Sequence, residues 1–228
     1  MSHSLDKVAV LDALRALDRL DRERKVFGSQ GHGYRLNPPV TEAVINAFEN
    51  KHRLRLPEDY RYFMTQIGSG GAGPFWGLFP FGMQDSGHEF GTFEDGFLVG
   101  DLSAVFPYEE AWNLPASFWE KRAPVPLDAT PEEEDRIYEE WDRLDEEHYW
   151  KPDLMRGAIP ICHRGCALRQ WLVVQGSLKG TIWDDDRVDR KGVRPLLDEH
   201  GRRVTFAAWY ISWLGQASVE ASANRKRG

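Results

Sequence analysis

The chain has 228 residues, a formal net charge of −7, 41% hydrophobic and 29% charged residues, and nine tryptophans. This composition excludes an intrinsically disordered chain and suffices for one sizeable core, and the negative charge argues against a nucleic-acid binder. Cys162 and Cys166 are too few for a disulfide framework, no apolar run reaches transmembrane length, and the start MSHSLDKVAV lacks the pattern of a signal peptide, so the expectation is a cytoplasmic protein with no membrane segment.

Taken in order, the first element is an amphipathic helix capped by Ser4, with Leu5, Val8, Leu11, Leu14 and Leu17 to Leu20 on one side. Residues 26–39, rich in Gly, Asn and Pro, read as a loop, and a second helix begins near Thr41 with Val44, Ile45 and Phe48 facing inward. Leu56-Pro57 opens a third helix. Pro57 suits the first helical position, Glu58 and Asp59 oppose the dipole, and Tyr60, Phe63, Met64 and Ile67 form one apolar stripe before Gly68, predicted as a left-handed stop. Gly68, Gly70, Gly71 and Gly73 then lead through Pro74 into the aromatic run of residues 75–82, a buried strand or turn, and residues 83–107 read as edge strands or structured loop.

An acidic helix follows, bracketed by Pro124, Pro126, Pro131 and Pro152. Thr130 is its N-cap, Pro131 its first position and Glu133 the partner of a capping box, with Ile137, Trp141, Leu144 and His148 as the packing face. Between Glu132 and Glu147 stand ten carboxylates against Arg136 and Arg143, a local net of −8 that matches the negative excess of the whole chain. Short strands come next at residues 158–161, 170–174 and 179–183, the last two joined by a turn at Gly176-Ser177 as an antiparallel hairpin. Thr205 caps a closing helix with the stripe Phe206, Trp209, Tyr210, Trp213 and Leu214, and the tail after Ser218 is expected to be disordered. The order of elements points to an α+β fold with N-terminal helices packed on a mostly antiparallel sheet.

Three clusters invite a chemical reading. Residues 68–73 satisfy GxGxxG, but a phosphate cradle needs a strand before and a helix after, and here the order is reversed. Cys162-His163-Arg164-Gly165-Cys166 offers three zinc ligands where four are required, and reads instead as a turn between strands. Trp183-Asp184-Asp185-Asp186, with Asp189, lacks calcium-loop spacing, since Val188 stands at position five and no glycine at position six; it reads as a solvated acidic loop. No nucleophile motif is present, and no catalytic residue, cofactor or metal is implied.

Several of these elements carry a resemblance to a known family. The helix with Ile45, Phe48 and Glu49, the run Leu56-Pro57-Glu58-Asp59-Tyr60 through Phe63 and Ile67 to Gly68, and Gly77-Leu78-Phe79-Pro80 match it in order and spacing. So do Ile159-Pro160-Ile161, Gly165, Trp171 to Val174, Gly180-Thr181-Ile182-Trp183 and the closing Thr205-Phe206 with Trp213-Leu214. The sequence resembles the SUKH superfamily of bacterial immunity proteins and yeast cell-wall-synthesis regulators (Smi/Knr family) over roughly residues 38–215. The resemblance implies residues 1–37 as an addition, a domain over 38–217 with an acidic helical insertion at about 124–152, and a tail at 218–228. It also implies a non-enzymatic protein that binds a cognate toxin domain, often a nuclease, or else a regulatory or scaffolding protein in cell-wall or signalling pathways. For a toxin partner, Glu132, Glu133, Glu139, Glu140, Asp184, Asp185 and Asp186 are the candidate contacts, able to steer a basic surface; solubility is the other role such carboxylates serve.

Overall fold

The computed structural model describes residues 5–81, 98–121 and 124–227. Helix α1, Lys7–Leu20, buries Val10, Leu14 and Leu17. Asp6 caps it, its side chain accepting from the Ala9 amide at 2.7 Å; the expected cap Ser4 lies outside the described residues. Beyond α1 the chain is gathered around Asp21, which is 4% exposed. Its carboxylate accepts from the Tyr34 hydroxyl (2.7 Å), the Ser29 hydroxyl (3.0 Å) and the amides of Lys25 and Val26. Burial opposes its ionisation, but these donors outweigh burial and hold the carboxyl below the usual carboxylate range.

Helix α2, Glu42–Lys51, is capped by Thr41 as expected, yet its inward face is Ile45, Phe48 and Glu49, while Val44 is 46% exposed. The buried Glu49 turns the helix. Its carboxylate accepts from the Leu56 amide at 2.9 Å and pairs with Arg55 at 2.8 Å, so the link 52–57 is tied to α2 through an acid that apolar periodicity does not register. Helix α3, Glu58–Tyr62, continues as a wider π turn over Phe63–Ile67, and Tyr60, Phe63, Met64 and Ile67 are all buried. Gly68 is not the left-handed stop expected: at φ −178° it is extended, and the turn closes through its amide on the Phe63 carbonyl. A glycine is needed there because a Cβ would stand 2.8 Å from the Cβ of Leu36. The left-handed backbone comes later, at Gly71 (φ +97°), where a Cβ would meet the Arg35 carbonyl oxygen at 2.4 Å.

Helix α4, Pro131–His148, is the acidic helix. It leads through a short 3-10 turn to the sheet, formed by β1 (Ala158–Gly165), β2 (Leu168–Val173), β3 (Ile182–Asp185) and β4 (Val193–Pro195). The strands run antiparallel in the order β1-β2-β3-β4. Helix α5, Phe206–Arg227, closes the fold, so the segment after Ser218 is helical rather than the disordered tail expected; Ala217 and Ala221, at 2% and 1% exposure, hold that extension to the core.

Side chains alternate across a strand, so the sheet divides two cores. One face carries Ile159, Ile161, Leu172, Val174 and Ile182 toward α1, α2, α3 and α5. The other carries Ala158, Trp171, Val173, Trp183 and Val193 toward Leu98, Phe106, Tyr108 and Met155 from the connecting segments. The aromatic stripe of α5 meets that of α3, with the Phe63 ring 4.6 Å from Tyr210 and the Tyr60 ring 5.0 Å from Phe206. Asp59 joins the two helices, accepting from the Ala207 amide at 2.9 Å; burial raises its pKa and the amides of Ala207 and Tyr60 partly offset that. Both sheet edges are covered: Leu78 bridges to Cys162 along β1, and Trp112 exchanges two 2.8 Å backbone hydrogen bonds with Val193 on β4. Residues 83–97, read as possible edge strands, lie outside the described residues.

Candidate protein interface

The N-terminus of α4 is built as its sequence dictates. The Glu133 amide donates to Thr130 Oγ1 at 3.3 Å and the Thr130 amide to Glu133 Oε2 at 3.0 Å, while Pro131 occupies the first turn with Glu132, Glu133 and Glu134. Ile137, Trp141 and Leu144 line the half-buried side, but His148 is exposed and no residue of the helix is fully buried. Glu132, Glu133, Glu139 and Glu140 all face solvent. Arg143 pairs with Glu147 at 3.0 Å along the helix and Arg136 bonds the Glu132 carbonyl, so the helix itself supplies two arginines for ten acids. The exposed Tyr138 donates to Glu134 at 2.9 Å and meets the Trp141 ring edge-on at 5.4 Å, so aromatic surface lies among the carboxylates.

Asp184, Asp185 and Asp186 are placed differently. They are 6%, 1% and 4% exposed, and β3 runs on through Asp185, so the solvated acidic loop expected there does not exist. Each is satisfied by arginine. Arg164 reaches Asp186 at 2.7 Å and Asp184 at 3.3 Å, Arg194 reaches them at 2.8 and 3.4 Å, and Arg187 grips Asp185 with two bonds of 2.7 and 2.8 Å. The aspartates therefore offer no free acidic surface, and the seven candidate residues fall into an exposed set on α4 and a buried, neutralised set in the sheet.

The remaining clusters resolve as structure. At the glycine run, the space a phosphate would need is occupied by the chain itself: a Cβ on Gly70 would stand 2.7 Å from the Pro80 Cα, and one on Gly71 against Arg35 and Leu36. The Cys162 thiol donates to the Pro74 carbonyl at 3.1 Å, and burial pushes its pKa well up, while Cys166 is exposed on the turn between β1 and β2. Among the described residues no three His, Cys, Asp or Glu side chains are grouped to hold a metal ion, and no helix is long and apolar enough to cross a membrane. The sequence reading missed a second exposed feature, Phe27 and Trp76, whose rings meet edge-on at 5.5 Å while remaining 55% and 49% exposed. Each sits in a glycine-flanked loop, and neither follows a period that would distinguish it from a core aromatic.

A family model described as SMI1 / KNR4 family (SUKH-1) matches residues 39–186. The chain belongs to this family. No curated protein and no solved structure matches it. The family match encloses α4 and ends at Asp186, the last of the three buried aspartates, so it is shorter than the sequence resemblance; α1 and α5 lie outside it.

Proposed function

We propose that this SUKH-family chain is a non-enzymatic, cytoplasmic immunity protein that neutralises a secreted toxin domain by binding it, with the exposed face of α4 meeting a basic surface of the toxin. The carrying observation is the family match over residues 39–186, which encloses a helix whose Glu132, Glu133, Glu139 and Glu140 all face water. Carboxylates so displayed accelerate encounter with a cationic groove such as a nuclease uses for its substrate, and Tyr138 and Trp141 supply apolar contact area beside them. Calorimetric titration with the toxin domain encoded beside the gene, together with survival of cells expressing both, tests the reading. Tight one-to-one binding with protection is expected. Absence of binding would overturn it and favour a regulatory or scaffolding role.

A further inference from the structure

None of the acidic helix's own side chains is fully buried and none belongs to either core cluster, while His148 near its end meets the Phe118 ring edge-on at 5.6 Å. Its exit is different. Tyr149, the first residue past α4, is 1% exposed and is met by the equally buried Arg187, which leaves the end of β3. The Arg187 guanidinium donates through Nη1 to the Tyr149 carbonyl at 2.8 Å, and through Nε and Nη2 to the two carboxylate oxygens of Asp185 at 2.8 and 2.7 Å. Its Cζ lies 4.8 Å from the ring centre of Trp150, the next residue of the same exit.

Asp185 is held in turn by the Trp171 indole N–H at 3.1 Å, which anchors the fork to β2. The Tyr149 hydroxyl donates to Asn113 at 2.6 Å and accepts from the Gly192 amide at 3.0 Å, so the same ring is tied to two further segments. Trp119 closes the group, edge-on to Tyr149 at 4.9 Å and covered by Arg190 at 5.2 Å. A planar guanidinium with three directed bonds fixes an angle, which an apolar contact does not, and a cation at the C-terminal carbonyls of a helix also opposes the dipole there. A buried ion pair adds little net stability over an apolar substitute, and its best-attested use is to specify one arrangement among several.

We propose that Asp185, Arg187 and Tyr149 form a latch that sets where the acidic helix stands on the sheet, with Arg187 as its positioning residue. Two of the four residues following Trp183, Asp185 and Arg187, thus act on the partner-binding face from within the fold; only this consequence for binding rests on the reading of α4 as the interface.

The test measures distances by double electron–electron resonance on the full chain, with Cys166→Ser and spin labels at Glu139→Cys on α4 and Gln216→Cys on α5. A control pair at Gln30→Cys and Gln216→Cys lies wholly in the body. The parent gives one narrow peak for each pair. In Asp185→Asn/Arg187→Met, which removes both charges together, the narrow 139–216 peak is lost while the control stays narrow. Arg187→Lys, which keeps the charge but cannot make all three directed bonds, loses the 139–216 peak in part and decides the matter if the double variant broadens both pairs. Persistence of the narrow 139–216 peak in Arg187→Lys and in a folded double variant would overturn the latch. Because no toxin is present, the result is independent of the binding proposal: a latch that holds with a toxin that ignores α4 would defeat only the interface reading.

Discussion

Asp184, Asp185 and Asp186 at the end of β3 and the carboxylates of α4 are both acidic runs in the sequence, and they end in opposite environments. The β3 trio is buried and matched by Arg164, Arg187 and Arg194, whereas Glu132, Glu133, Glu139 and Glu140 stand in water on a helix with two arginines for ten acids. Whether a charge run becomes surface or framework is decided by counter-charges brought from elsewhere in the chain and by strand or helix periodicity, not by the run itself. Arg164 comes from β1 and Arg194 from β4, and both make their shorter pair with Asp186, at 2.7 and 2.8 Å.

The largest effect should come from breaking the buried set. Asp185→Ala strands a buried guanidinium and should cost about 3–5 kcal/mol in urea unfolding, whereas Glu139→Ala on the exposed set should stay within about 0.5 kcal/mol. Equal costs would erase the distinction.

His32 sharpens the comparison as a half-buried ionisable group with no acidic side chain in contact among the described residues. Its Nδ1 accepts from the Tyr34 amide at 3.0 Å, and its Nε2 is buried without a hydrogen-bond partner among the described residues. Burial, with Arg24 nearby, lowers its pKa from 6.5 to about 4. A lowered folded pKa means the unfolded chain takes the proton first. The stability is complete above pH 6.5 and declines as pH falls from 6.5 toward 4, by about 1–3 kcal/mol after allowance for partial exposure. His32→Gln should flatten that segment of the stability–pH curve; an unchanged slope would mean that another group titrates there.

A smaller effect, confined to the exposed set, is expected at its cap. Thr130→Ala removes one bond of the capping box and should cost about 1 kcal/mol. The loss should appear as faster amide exchange in residues 132–135, with β2 unaffected.

Much of this fold was legible because its signals are periodic and local. The stripes Tyr60-Phe63-Met64-Ile67 and Phe206-Trp209-Tyr210-Trp213-Leu214 are buried as their spacing requires, and the Thr130–Glu133 box is in place. The failures came where a long-range partner decides. Glu49 is an acid on an apolar face, visible only once Leu56 and Arg55 fold back onto it. Gly68 reads as a left-handed helix stop from its position, but it is extended, and the glycine is required because Leu36, from a loop far back in the chain, leaves no room for a side chain. At β3, Trp183 and Asp185 keep the strand's alternation, a signal that was available, but charge proximity outweighed it. On α4 the exposed acids were readable from composition alone, whereas the Arg187 grip on Tyr149 joins residues 38 apart and had no local trace.

The most direct test of the central claim is the salt dependence of association between the neighbouring toxin domain and the chain, measured by stopped flow for the parent and for Glu132, Glu133, Glu139 and Glu140 all changed to lysine. If α4 is the interface, the parent's on-rate falls steeply with added salt, and the variant's is about tenfold or more slower at low salt and nearly flat. Identical on-rates and identical slopes for the two proteins would contradict it.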